Sequence, residues 1–547
     1  MNGAVYTVDA ARRWASAVAV REGSIAAVAT DDEIRSLVGP DTEVIDLRGR
    51  MLLPGFQDAH IHPPAAGLEM LRCNLSDAYS RADYARIIAE YAAAHPDEPW
   101  ITGGGWSMDV FPGGTPTKAE LDAVVPDRPV FLPNRDGHGA WVNSRALEMA
   151  GITRDTPDPP DGRIERDAAG EPSGTLHEGA MQLVDGVLPV PSSDEREEGL
   201  LVAQEHLHSL GLTAWQDAIV GGPYPTLDAY VSCAGRGELT ARVIGALWWD
   251  RHRGAEQIDE FIELRAKSSV GRFRATTVKI MQDGVIENHT AAVLEPYLDA
   301  AGVPTTNRGI SFVDPELLRG YVTQLDREGF QVHFHALAER AVREALDAIE
   351  AARRANGPND LRHHLAHLQV VHPDDIPRFR ELDVVANAQP LWAMSEGQMV
   401  NLTIPFLGPE RAAWQYPFAS LVRAGANLAF GSDWSVSSAD PLLEMHVAVN
   451  RASFPSYAYG GADDHSLEPF LPQERVDMAT AIHAFTMGSA YVNHLEEVTG
   501  SIEVGKYADL VVVDRNLFAH PAGEIHQARA LLTLVQGERV FTAPDFT

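Results

Sequence analysis

Short, mostly apolar and often β-branched runs alternate along the chain with longer stretches of helical period. The runs are MLLPGFQDAHIH, GLTAWQDA, ARVIGALWW, ATTVKIMQDG, FQVHFHA, HHLAHLQVV, DVVANAQPLW and NLAFGSDWSV. Eight strands in a βα rhythm predict an α/β chain built on a (β/α)8 barrel. The two ends have a different texture. AVYTVD, SAVAVREGSIAAV and TEVIDLRGR at the start, and GSIEVGKYADLVVVD and ARALLTLVQGERVF at the end, read as brief alternating strands. Because the ends of a domain often lie close together, one small β-sandwich is expected from residues 1–53 and 491–547, with the barrel over 54–490 between them. The stretch 74–200 breaks the rhythm. It is rich in Pro, Gly and Asp (FPGGTPTKAELD, TPDPPDGRIERDAAGEPSG), and is expected to be an insertion after the first strand that caps the barrel mouth.

Composition agrees with a large globular enzyme and removes other classes. With 547 residues, 45% hydrophobic and 22% charged, the chain has ample material for a core. No run of 18 apolar residues occurs and the start lacks the apolar region of a signal peptide, so a cytoplasmic protein with no membrane partner is expected. The net charge of −33 repels nucleic acid. Two cysteines, Cys73 and Cys233, cannot supply a multi-thiolate site, so any metal must be held by nitrogen and oxygen.

Such ligands are present, each near the end of an expected strand. His60 and His62 stand two apart on strand one, so both imidazoles point to one side and can reach one ion. His335 ends FQVHFH, with His333 an equivalent candidate; His367 ends HHLAHLQ, with His363 and His364 competing. Asp433, in AFGSDWS, is a carboxylate at the end of strand eight or, alternatively, a helix N-cap. Lys279 interrupts the mainly apolar TTVKIMQ, where an unpaired ammonium is costly. The chain has only four lysines, at 118, 267, 279 and 506, so the remaining 40 of its 44 basic residues are arginine. A buried Lys can lose its proton and take up carbon dioxide as an anionic carbamate, which Arg cannot. Lys279 is therefore a candidate bridging ligand for two metals; the alternative is a lysine paired with Asp283 or another carboxylate. Successive separations of 56, 32 and 66 residues, Lys279 to His335, His335 to His367 and His367 to Asp433, place the four on strands four, five, six and eight.

PGFQDAHIHP, GSDW and GSIEVGKYADLVVVD together resemble the metal-dependent amidohydrolase superfamily. DGHGAWVNSRAL, GEPSGTLHEGA, VKIMQDG, HALAERAV, HLQVVHPDD and GSDWSVSSADP resemble its amidohydrolase-3 branch, which includes N-substituted formamide deformylases. The resemblance implies a zinc-type hydrolase of one or two ions, with His60, His62, His335, His367 and Asp433 in ligand positions and Lys279 as the candidate carboxylated bridge. One departure is visible. Where the branch has HxxGDRA, this chain has Ala338 and Glu339 in place of Gly and Asp, which puts the turn after His335 in question.

A divalent ion with an open position makes water nucleophilic near neutral pH and polarises a carbonyl. Asp433 and His335 are the candidate proton-handling groups, with Asp433 as base. His138, between Gly137 and Gly139, is the candidate oxyanion donor. The bond expected to break is C–N in a small amide, formamide or urea-like substrate. Trp106, His138, Trp141, Trp215, Trp392 and Trp434 are candidate substrate contacts and suggest an apolar or aromatic molecule. A homodimer is expected. The competing classes are a non-catalytic binding relative and an isomerase or decarboxylase of the same fold.

Overall fold

The computed structural model describes residues 1–222, 225–455, 457 and 467–546. Eight strands form one sheet whose order follows the chain: Phe56–Ile61, Leu212–Val220, Arg242–Trp248, Phe273–Met281, Gln331–Ala336, His364–His367, Val385–Ala388 and Leu428–Phe430. They are barrel strands 1 to 8 below. Every neighbouring pair is parallel, and all eight coincide with the runs expected from sequence. This is the (β/α)8 barrel. Side chains alternate across each strand. On strand 5, Val332 and Phe334 join the hydrophobic layer under helix Glu339–Asn356, which presents Ala341, Val342, Ala345, Leu346 and Ile349 to it. His333 and His335 point the other way, to the lumen, where they meet His60 and His367. The lumen is filled largely by polar groups: Gln216, Lys279, Gln331, His333, His364 and Asn387 are all buried.

The first expected strand divides in two. Met51–Pro54 leaves the barrel and pairs antiparallel with Leu510–Val513 and parallel with Ala4–Tyr6. Gly55 makes the transition, for a Cβ there would lie 2.4 Å from Thr213 Cγ2. The resulting six-stranded sheet takes three strands from each end of the chain. The hairpin Ala17–Arg21/Ser24–Ala29 covers it, with Ile25, Val18 and Val28 packed on Val5, Leu52, Leu510 and Leu532.

The insertion has a mixed six-stranded sheet of its own, from Cys73–Asn74 to Pro172–Glu178. Apolar clusters cover both sides, one built on Tyr84, Ile88, Trp106, Leu121 and Trp141, the other on Val142, Leu147, Ile164 and Leu176. The last part of the 74–200 stretch runs into helix Ser193–Ser209, which packs on the barrel through Leu200, Ala203 and Leu207. Its Ser192 capping box and apolar face make it the helix that leads into barrel strand 2.

Candidate metal centre

Asp58, His60 and His62 share one side of barrel strand 1. The Asp58 carboxylate accepts the backbone N–H of His60 at 2.9 Å and that of Ser432 at 3.1 Å, tying the end of strand 1 to the end of strand 8. Burial pushes its pKa up to about 7. Gly431 permits this approach, because a Cβ there would lie 2.5 Å from His60 N. Asp58 was not assigned a role from sequence, although its place two residues before His60 follows the same period as the HxH pair.

Asp433 follows strand 8 with φ +54°, and His367 ends strand 6 with φ +79°. Left-handed backbone at a non-glycine residue costs on the order of 1 kcal/mol or more. Asp433 Oδ1 lies 3.2 Å from His60 Nε2 and 2.9 Å from His62 Nε2, and Oδ2 lies 3.8 Å from His367 Nδ1. One donor atom from each of His60, His62 and Asp433 falls within 4.8 Å of the others. The chemistry and burial of this set fit a divalent cation. Asp433 is 5% exposed, yet Asp433 Oδ1 and His367 Nδ1 are buried without an aligned hydrogen bond, an arrangement a shared cation would satisfy. Burial alone would raise the Asp433 pKa, but His60 and His62 outweigh it and hold the carboxyl well below its usual range.

His335 lies beside His367, with ring centroids 4.4 Å apart. Its Nδ1 is 3.1 Å from Asp283 Oδ1, and Asp283 also accepts the backbone N–H groups of Ala292, Leu337 and Ala338. Asp283 therefore orients the histidine and does not pair with Lys279. This carboxylate also resolves the departure after His335. Ala338 has φ −106° and gives its N–H to Asp283, so the turn needs no glycine. Buried Glu339 accepts the N–H of Leu294.

Lys279 is 2% exposed, and burial lowers its pKa from 10.5 to about 7 against the pull of Asp433. Its Nζ lies 3.5 Å from His333 Nε2. Of the competing histidines, His333 binds His60 Nδ1 at 2.8 Å, His364 lies tilted against His333 with ring centroids 4.0 Å apart, and His363 turns away to Asp326 at 2.9 Å.

His138, from the insertion, lies beside His335. Its Nδ1 is 3.0 Å from both Glu178 oxygens, its ring is 5.4 Å from that of His335, and Thr290 of the loop after strand 4 donates to Glu178 at 2.7 Å. Burial alone would lower the His138 pKa, but the Glu178 carboxylate outweighs it and lifts the value to about 9. Glu178 lies in the quoted stretch GTLHEGA, but nothing in its local pattern marks it as the partner of a residue 40 positions away.

The aromatic candidates separate. Trp392 stacks on His367 at 13° and 5.4 Å. Trp106 and Trp141 belong to the cap's interior, their indoles bonded to the carbonyls of Leu132 and Thr117. Trp215 faces the helical layer, bonded to Tyr230, because its neighbour Gln216 takes the lumen side. Trp434 packs on His206. These four do not line the centre, since their apolar rings fill the layers between elements. Carboxyl groups and Arg135 cluster near His138. Asp136 accepts the His138 N–H, Asp109 lies against Gly397, and burial together with Asp109 raises Glu396 to about 8, with Glu287 adding to it.

Comparison with known proteins follows the same lines. Residues 43–541 match the amidohydrolase family. The chain is 31% identical to the putative amidohydrolase YtcJ of Bacillus subtilis, over 99% of this chain and 98% of that protein. It is 28% identical to the N-substituted formamide deformylase of Arthrobacter pascens, over 98% and 97%. An uncharacterized metal-dependent hydrolase from Pyrococcus furiosus superposes with a TM-score of 0.70 at 27% identity, covering 94% of this chain and 98% of that one. On barrel, donor set and sequence together, the chain belongs to the amidohydrolase family.

Proposed function

We propose that the protein hydrolyses a C–N bond in a small amide, N-substituted formamide or urea-like substrate with a divalent metal, zinc in the first instance. His60, His62, His335, His367 and Asp433 would hold it. Lys279, a buried amine able to lose its proton near neutrality, would carry the carbamate if two ions bind. The observation that carries this reading is Asp433 Oδ1, buried between His60 Nε2 and His62 Nε2 without a hydrogen bond. The similarity to a formamide deformylase supports the substrate class.

When bound, the cation lowers the pKa of a water molecule and polarises a carbonyl oxygen. Asp433, its carboxyl held below the usual range, accepts the proton of the attacking water and returns it to the leaving nitrogen. His138 is an imidazolium at neutral pH. With Nδ1 on Glu178, its Nε2–H can donate to the oxyanion that develops on the former carbonyl oxygen. Asp283 keeps His335 in one orientation. Trp392, stacked on His367, offers an apolar face.

The test is a panel of N-substituted formamides, N-acyl amines and cyclic ureas, with metal quantified on the same sample. Amine release should vanish on chelation and return with zinc, and Asp433→Asn should be nearly inactive. Turnover that survives chelation, or a fully active Asp433→Asn, would overturn the proposal. Solvent oxygen in the product separates hydrolysis from isomerisation or decarboxylation.

A further inference from the structure

Beneath the centre, a chain of buried side chains runs through the barrel lumen. It begins at Gln331, whose amide nitrogen lies 2.9 Å from the carbonyl of Arg362 and 2.7 Å from that of Val492. Carbonyls only accept, so this side of the amide is the NH2 and the other is the oxygen. That oxygen accepts the Thr277 hydroxyl at 2.7 Å and faces Gln216 at 3.2 Å. Gln216 must therefore present its NH2 to Gln331, and it also donates to Asn493 Oδ1 at 2.8 Å. Its oxygen is left for His333 Nδ1, 2.6 Å away. His333 Nδ1 then carries a proton. A neutral His333 has its lone pair on Nε2, and the group opposite at 2.8 Å is His60 Nδ1. His60 must donate there, which leaves the lone pair of His60 on Nε2, the atom 3.2 Å from Asp433. Lys279 Nζ, 3.5 Å from His333 Nε2, approaches the same lone pair as a second donor.

We infer that Gln331, Gln216 and His333 form a positioning relay that sets the tautomer of His60 from the barrel floor, presenting its Nε2 lone pair to the cation. Two backbone carbonyls are the origin of the polarity, and each later link has one arrangement that avoids a donor facing a donor. Gln216, His333 and His60 are buried and Gln331 nearly so, so water does not supply an alternative partner cheaply. The competing arrangement needs one more proton. His333 would be an imidazolium donating from Nε2 to His60 Nδ1, and His60 would then turn an N–H toward Asp433. That would bury a charged imidazolium whose contacts, Gln216, His60, Lys279 and His364, include no carboxylate.

The inference rests on the metal site proposed above, and its tests do not use turnover. Neutron diffraction from the perdeuterated full-length protein, metal-free and zinc-loaded, reads the protons directly. Deuterium is expected on Nδ1 of both His333 and His60; deuterium on Nε2 of His333 would overturn the relay. Zinc affinity by chelator competition gives the second readout. His333→Leu removes the acceptor and should weaken zinc binding by about 10–100-fold. His333→Gln, whose amide oxygen can accept from His60 Nδ1, should recover most of that loss. Equal affinities for wild type and His333→Leu, or no recovery in His333→Gln, would also overturn it. Should the leucine variant fail to fold, the neutron map decides alone. If the wild-type protein binds no zinc at all, the metal-site proposal fails while the map still reports the tautomers.

Discussion

The pair formed by His138 and Glu178 predicts a specific pH dependence of stability. The Glu178 carboxylate raises the folded-state pKa of His138 from 6.5 to about 9. A group whose pKa is raised on folding contributes stability that is fully present below its unfolded pKa and is lost as pH rises through its folded pKa. The window is thus about pH 6.5 to 9. At ~1.4 kcal/mol per unit, 2.5 units correspond to about 3 kcal/mol. In Glu178→Gln the charge that raises the pKa is gone while an amide oxygen can still accept from Thr290, so His138 stays neutral across the window. Unfolding entropy of ~2.1 cal/mol/K per residue over 547 residues is about 1.1 kcal/mol/K, so the effect on a cooperative transition is about 3 °C. The assay is Tm by scanning calorimetry for both proteins at half-unit steps from pH 6 to 10. The difference between them cancels the other titrating groups. Wild type minus variant should fall by about 3 °C between pH 6.5 and 9.5. Parallel curves would refute the assignment of a charged His138.

Three further outcomes are expected. Gly431→Ala should weaken zinc binding by roughly tenfold or more, because the added Cβ would lie 2.5 Å from His60 N and 2.8 Å from its Cβ; unchanged affinity by chelator competition would contradict the contact. Ala338→Gly, which restores the residue usual in this branch, should leave zinc affinity intact and lower stability by about 0.5–1 kcal/mol, since Ala338 already has φ −106°. Phe334→Ala should remove about 3–5 kcal/mol from the layer between strand 5 and its helix, seen as a Tm lower by about 3–4 °C, whereas a shift below 1 °C would show that the site collapses around the void.

The barrel strands were legible because their apolar faces must meet helices, and the candidate ligands because three histidine-bearing strand ends and a carboxylate recur at the same end of the βα units. Partner choice was less visible. Asp283 appeared from sequence as a possible mate for Lys279, four residues away, but it sits on His335, where four donors converge on it. Trp106, Trp141, Trp215 and Trp434 looked like contacts because sequence marks a tryptophan as large and apolar without saying which layer receives it. The division of MLLPGFQDAHIH at Gly55 was equally hidden, since both halves have strand composition and only the close approach of Thr213 requires the glycine.

The sequence by itself determined what is local or periodic: the βα rhythm, the same-side placement of His60 and His62, the strand-end positions of Lys279, His335, His367 and Asp433, and a solitary lysine in an apolar strand. The tertiary structure decided what depends on residues far apart in the chain. It set Glu178 against His138, Asp58 against Ser432, and Gln216 against His333. The reason is that a hydrogen bond in a closed barrel is selected by which strands become neighbours and how their registers align. Side-chain period reveals the face a residue takes, whereas the partner across the lumen exists only once all eight strands have closed.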